Sequence, residues 1–235
     1  MGTLINVLAI IAGGICGLLF GNRLPQRFRT TLMQANGIAV MFLGTAGALE
    51  KMLQVENGKI AVQGSMMMII SLALGSVIGE WIDIDSRMET FGEWLKQKSG
   101  SGSDSAFVSA FVTASLTVCI GAMAVVGSIQ DGITGDYSVL AAKAVLDFII
   151  IMVMTASLGK GALFSAVPVG ILQGAITLLA RFIAPLITTG AMNNLSLVGS
   201  VLIFCVGVNL IFNIRIRVAN MLPSLVIAAV FAVLP

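Results

Sequence analysis

Lys143 and Asp147 are the residues of this chain with the clearest chemical potential, because they stand four positions apart inside an otherwise apolar run, "LAAKAVLDFIIIMVM" at 140–154. On a helix that spacing puts both side chains on one face. The 235 residues contain no histidine, so a Ser-His-Asp triad, a His-Glu-x-x-His zinc site and every histidine general base are excluded together. Paired-aspartate chemistry would need two carboxylates at one depth, whereas Asp131 and Asp136 lie in the polar stretch "QDGITGDY", apart from Asp147. Neither a phosphate-binding loop nor a dinucleotide fingerprint occurs. The chemistry left for these residues is ion binding. The chain is expected not to be an enzyme and to need no cofactor beyond a bound Na+.

The elements that position them belong to a membrane bundle. Hydrophobic residues make up 57% of the chain and charged residues only 10%, against about 25% charged in ordinary soluble domains. The net charge of +2 is too small to suggest nucleic acid as a partner. Cys16, Cys119 and Cys205 each lie in an apolar run without paired spacing, and read as small packing residues. The first segment lacks the basic start and cleavage site of a secretory signal and reads as a retained span. A span needs about 20 apolar residues. On that template the sequence predicts an all-α polytopic transmembrane helix bundle, a single integral membrane domain over 1–235. About eight spans fit, near 3–21, 35–50, 64–81, 106–128, 138–158, 162–181, 195–212 and 221–235.

Lysine and arginine set the expected orientation, since cytoplasmic loops hold the positive excess. Arg23, Arg27 and Arg29 fall in the first connection, Arg87, Lys96 and Lys98 in the third, Lys160 in the fifth, and Arg215 and Arg217 in the seventh. Lys51, Lys59 and Arg181 fall in even ones. Odd connections are therefore expected to be cytoplasmic and the N-terminus outside. The third connection, near 82–104, is expected to hold a cytoplasmic amphipathic helix and a flexible linker. In "WIDIDSRMETFGEWL" the residues Trp81, Ile84, Met88, Phe91 and Leu95 make one apolar face, while Asp83, Asp85, Arg87, Glu89 and Glu93 lie off it. An acidic polar face is repelled by anionic lipid, so packing on the protein's own spans or on a second subunit competes with lying in the interface.

Gly-x-x-x-Gly pairs at Gly13/Gly17, Gly75/Gly79 and Gly170/Gly174 predict close helix approaches. Spans one and six would run in opposite directions. "GIAVMFLGTAG" from Gly37 also resembles "GSVLIFCVGVN" from Gly199, a pattern of the kind an inverted repeat leaves in transporters. Pro168, with Gly170 and Gly174, predicts a kinked or broken sixth span, since proline removes a backbone donor.

At about 1.5 Å per residue, Asp147 is expected roughly 13 Å inside the fifth span, and Gln173, Ser115 and Thr117 at comparable depth in the sixth and fourth. A charge at mid-membrane usually faces the bundle interior or water and marks an ion pathway. Lys143 has two readings: a structural salt bridge to Asp147, or a tether that snorkels outward to Asp136 or Asp131 and leaves Asp147 free for a cation. Asn6 and Asn209 are expected nearer opposite faces, as links between helices.

The stretches "INVLAIIAGGICGLLFGNRLPQRFRTTL", "SLALGSVIGE", "CIGAMAVVGSIQDGITGDYSVLAAKAVLDF", "FSAVPVGILQGAITLLA" and "IRVANMLPSL" together resemble the bacterial domain-of-unknown-function 554 family over nearly the whole chain. The resemblance implies a protein of the bacterial cytoplasmic (inner) membrane, with a link to sodium channels or pumps, and transfers no catalytic residue. Gly121, Ser128, Gln130, Asp131, Gly132, Gly135, Asp136, Lys143, Asp147, Pro168, Gln173 and Gly174 sit in its signature stretches. The leading expectation is transport of a small inorganic cation, Na+ or H+ first, by a channel or secondary transporter. Asp147 would hold the ion with Gln173, helped by Ser115, Thr117 and carbonyls freed near Pro168, and Gln130, Asp131 and Asp136 would line the outer mouth. The expected partners are the lipid bilayer, the cation and further copies of the chain in a homo-oligomer. An oligomeric scaffold or signalling protein without transport, and a permease for a small organic solute, are the alternatives.

Overall fold

The computed structural model describes residues 1–235 except 22–24, 57–58, 120–121, 184–187, 213, 215 and 233–235, and except the side chains of 21, 26, 29, 36, 55, 56, 122, 181 and 183. Of the residues named above, Arg23, Gly121 and Arg215, and the side chains of Arg29 and Arg181, therefore lie outside the described residues.

The chain is helical almost throughout. In order it forms α1 (Gly2–Gly21), α2 (Gln26–Met52), a two-stranded hairpin β1 (Leu53–Glu56) and β2 (Lys59–Val62), α3 (Ser65–Ile82), α4 (Ile84–Lys98), α5 (Phe107–Cys119) and α6 (Ala122–Thr134). Then follow α7 (Ser138–Leu158), a 3-10 turn (Lys160–Ser165), α8 (Ala166–Ile183), α9 (Thr189–Phe212), a second 3-10 turn (Val218–Met221) and α10 (Pro223–Phe231). The antiparallel hairpin, with Leu53 opposite Val62 and Gln54 opposite Ala61, replaces what the sequence offers only as a polar connection.

Among the described residues six helices are long and apolar enough to cross a membrane, and seven spans result if α5 and α6 count as one bent by 62°. The stretch expected as an eighth span is the shorter apolar run Val218–Phe231. The break expected in the sixth span lies in the fourth instead. Pro168 is the third residue of α8, in the first turn of the helix, where its missing N–H leaves no hydrogen bond unmade. The irregularity of that span is confined to its opening 3-10 turn.

Small residues set the packing, as lipid-exposed helices require. Gly13 and Gly17 of α1 rest on the backbone carbonyls of Phe148 and Met152 in α7. Because the chain numbers rise together along this contact, α1 and α7 run parallel. Gly75 and Gly79 of α3 bring that helix against the backbone of Ser224 and Asn220. Gly170 meets Val7 of α1 at 3.3 Å, but nothing lies within 4 Å of a Cβ at Gly174, so the third glycine pair closes on only one side. The stretches from Gly37 and Gly199 lie on α2 and α9, which pack antiparallel, Gly37 facing Gly207 and Gly44 facing Ser200 and Phe204.

Asp83 turns the chain from α3 into α4 with φ 54°, its N–H donating to the Gly79 carbonyl at 2.8 Å. Aspartate is one of the few side chains that adopt this left-handed conformation readily. The apolar face of α4 then packs on the protein itself. Phe91 meets Phe111 of α5 edge-on at 5.9 Å between ring centroids, Leu95 is buried, and Gly92 lets the Phe111 ring come close. The linker after α4, expected to be flexible, is folded into tight turns, with Ser101 N–H donating to Lys96 O and Asp104 N–H to Ser101 O, each at 2.9 Å.

Candidate ion site at the broken span

The break between α5 and α6 explains where Lys143 points. Val118 is the second-last described residue of α5, so its carbonyl points out of the negative, C-terminal end of that helix. The Lys143 ammonium donates to that carbonyl at 2.8 Å and to Asp147 Oδ2 at 2.5 Å. Asn6 of α1 donates its Nδ2 to the same Asp147 oxygen at 3.0 Å. Lys143 and Asp147 are 6% and 3% exposed. Lys143 is therefore not an outward tether: it turns along α7 to Asp147 and across to the broken span. A helix-end carbonyl and a carboxylate together offset the lost solvation of this buried ammonium.

The outer carboxylates find other partners. Asp131, almost fully buried, accepts the Gly2 N–H and the Met1 amine, each at 2.9 Å, at the start of α1. An anion there suits the positive end of the helix. Asp136 is exposed and accepts the Ser138 N–H at 2.9 Å. That bond holds its carboxyl below the usual carboxylate range. Folding therefore favours the charged form. The stabilisation is full at neutral pH and lost as pH falls through the lowered folded-state value, and Asp136→Asn removes this acid-side slope in thermal melts between about pH 5 and pH 2 without altering the neutral-pH melting profile beyond a small shift.

Gln173 is 1% exposed, and neither its Oε1 nor its Nε2 has a partner among the described residues. Helix register places it on the tier of Asp147. Thr3 lies 3.4 Å from Thr177 and Val7 packs on Gly170, so α1 and α8 run antiparallel with Asn6 level with Gln173. Gly132 faces Thr177 and Ala180, so α6 runs alongside α8 and brings Ser128 to the same tier. Asn6 Oδ1 and Ser128 Oγ are also buried without a protein partner. Buried polar groups are rarely left unsatisfied, because each costs about 1–3 kcal/mol. This tier thus carries several oxygens suited to a hard cation or to water.

Two of the expected residues do not join it. Thr117 donates to its own helix at Thr113 O, 2.8 Å away, and Ser115 lines an apolar groove with Pro168 and Leu172. The Gln130 Oε1 is buried without a partner among the described residues; two residues after Ser128 on α6, it faces another side of that helix, and no described contact ties it to Asp147. Asn6 is the site residue that sequence reasoning placed elsewhere, and Ser128 was named there only as part of the family's signature stretches. The usable signal was Asn6 itself, the single amide side chain in the apolar helix α1. Asn209 does act as a link, but a local one, bonding both the N–H and the carbonyl of Ile216.

On the α4 side of the bundle lies a cavity of about 690 Å³, lined by Asp85, Glu89 and Glu93 on α4 and by Ser109 and Thr113 on α5. The acidic face of α4 is thereby turned to this cavity. Among the described residues no three of Cys, Asp and Glu gather as a metal-ligating group.

A family model described as "Protein of unknown function (DUF554)" matches residues 1–233. The chain belongs to the DUF554 family. A DUF554 relative in Bacillus subtilis (strain 168), "Uncharacterized membrane protein YdfK", is 30% identical over 229 residues, covering 97% of this chain and 94% of the relative. "Uncharacterized protein YqgA" of Escherichia coli (strain K12) is 28% identical over 232 residues, with coverages of 97% and 94%. No solved structure matches the chain. Membership of DUF554, a relative named as a membrane protein and the apolar helices together make this a multi-pass membrane protein.

Proposed function

We propose that this protein moves a small inorganic cation, Na+ or H+ first, across the bacterial cytoplasmic membrane, with Asp147 as the ion-holding group. The observation that carries the reading is a buried carboxylate beside a broken span, on one tier with amide and hydroxyl oxygens of Asn6, Gln173 and Ser128 that no protein group satisfies. Interrupted helices in transporters expose carbonyl ends to coupling ions in this way. Lys143 holds the place of the cation in this state. An arriving ion competes with its ammonium for Asp147, and occupancy by one excludes the other.

The rest of the architecture fits the same reading. The acidic cavity on the α4 side would concentrate cations at the cytoplasmic mouth, with the Asp131 side and the N-terminus outside. The antiparallel pairings of α1 with α8 and α2 with α9 are those an inverted repeat would have. No catalytic group is needed, and coupling would come from an ion gradient in a homo-oligomer of the chain.

Flux of 22Na+ or of protons into liposomes holding the purified protein tests this directly. The wild type is expected to carry one of them down an imposed gradient, and Asp147→Asn to fall to the level of empty liposomes. Absence of flux under every gradient, or a variant equal to wild type, ends the proposal. A scaffold without transport is the second reading, favoured by the closure of Lys143 on Asp147; it expects an Asp147→Asn protein that loses assembly rather than flux.

A further inference from the structure

A groove of about 330 Å³ opens between α4, α5 and α8. Its walls are almost wholly apolar, with Met88 and Phe91 from α4, Phe111 and Leu116 from α5, and Pro168 and Leu172 from α8. Two groups break that character. Ser115 lies in the wall, wholly buried, with a hydroxyl that no protein group satisfies. Arg87 stands at the rim, exposed, and donates its Nε to the Ile82 carbonyl at 3.0 Å. Among the described residues no carboxylate pairs with it.

The position of Arg87 gives its charge a purpose. It lies on α4 between Trp81 and Trp94, which are 89% and 51% exposed. Exposed tryptophans in membrane proteins sit at headgroup depth, so Arg87 stands at that level while the groove runs from it along α5 to Ser115 and Cys119. A cation at the headgroup plane above an apolar slot matches one molecule in shape and charge. An arginine takes a phosphate in a fork of donors, the slot takes hydrocarbon, and the Ser115 hydroxyl offers a donor to an ester oxygen. We propose that this groove binds one acyl chain of an anionic phospholipid from the adjoining leaflet, with Arg87 holding the phosphate. The site is separate from the ion site and does not depend on transport.

The test uses the full-length protein in nanodiscs of equal parts phosphatidylglycerol and phosphatidylethanolamine, followed by gentle detergent release and native mass spectrometry. Wild type is expected to retain one phospholipid per chain, phosphatidylglycerol over phosphatidylethanolamine by about fivefold, the preference a single interfacial arginine provides. Arg87→Glu, at an exposed position, is expected to erase the preference, and Leu172→Trp, which fills the slot, to erase retention of both lipids. Equal retention of the two lipids by wild type, or an unchanged count in Leu172→Trp, overturns the proposal. So does a wild type that retains none while Leu172→Cys cross-links two chains, because a second copy then covers the groove.

Discussion

Asp147→Leu, with Lys143 left in place, is expected to lower the unfolding free energy by about 3–5 kcal/mol, the cost of stranding one partner of a buried pair. Lys143→Met is expected to cost a similar amount, because it strands Asp147 and reopens the Val118 carbonyl at the end of α5. The double variant Lys143→Met with Asp147→Leu should recover most of the loss, since two apolar side chains of similar volume replace two desolvated charges. Unfolding in mixed micelles with increasing denaturing detergent measures all four proteins, and the non-additive term isolates the pair. A double variant whose loss equals the sum of the two single losses would mean that the two residues do not stabilise each other. The same double variant separates stability from transport: it should fold and carry no cation.

Gly79→Ala is the second large effect, and it acts through a single methyl group. A Cβ at Gly79 would collide with the backbone carbonyl of Asn220, which no side-chain rotation relieves. Overpacking of this kind typically costs about 1–3 kcal/mol and more when backbone must shift. The collision would also disturb Glu80, whose carboxylate binds the Arg217 guanidinium at 2.5 Å and the Asn220 amide at 2.6 Å, and Asn220 in turn accepts the Asp85 N–H at 2.7 Å. One added carbon thus pushes α3 off the turn that fixes α4. Gly174→Ala is the matched control. Nothing lies within 4 Å of the new methyl, and alanine is the better helix former by about 0.5–1 kcal/mol, so that variant should be neutral or slightly more stable. Thermal melting of the two proteins in one detergent shows whether the signs differ.

The membrane class and the tier of Asp147 and Gln173 were legible in the sequence because hydropathy and helical rise are local quantities. The matches of 3–21, 64–81 and 138–158 to α1, α3 and α7 rest on nothing else. What failed were readings that depend on a neighbouring helix. Pro168 drew attention to the sixth span, but a proline is harmless in a first turn, and where a helix starts is set by packing rather than by apolar content. The true break near 120 carries no proline. Of the two readings of Lys143, the salt bridge to Asp147 was legible from the four-residue spacing, and the snorkelling one failed because the competing attraction, the Val118 carbonyl near the end of α5, belongs to another helix. Asn6 looked shallow when counted along α1 alone, and its bond to Asp147 follows from the parallel lie of α1 on α7.

The closure of Lys143 on Asp147 also fixes how the membrane voltage acts on the molecule. Two opposite charges 2.5 Å apart form a small dipole with no net charge, so the transmembrane field exerts almost no net force on the site as it stands. A cation bound on that tier, with Lys143 and Asp147 both still present, makes the site a unit positive charge. Each 100 mV then contributes about 2.3 kcal/mol for a full crossing. In the proposed cycle the pair therefore acts as an electrical ground: the empty carrier returns without regard to voltage, and the loaded one is pulled by it.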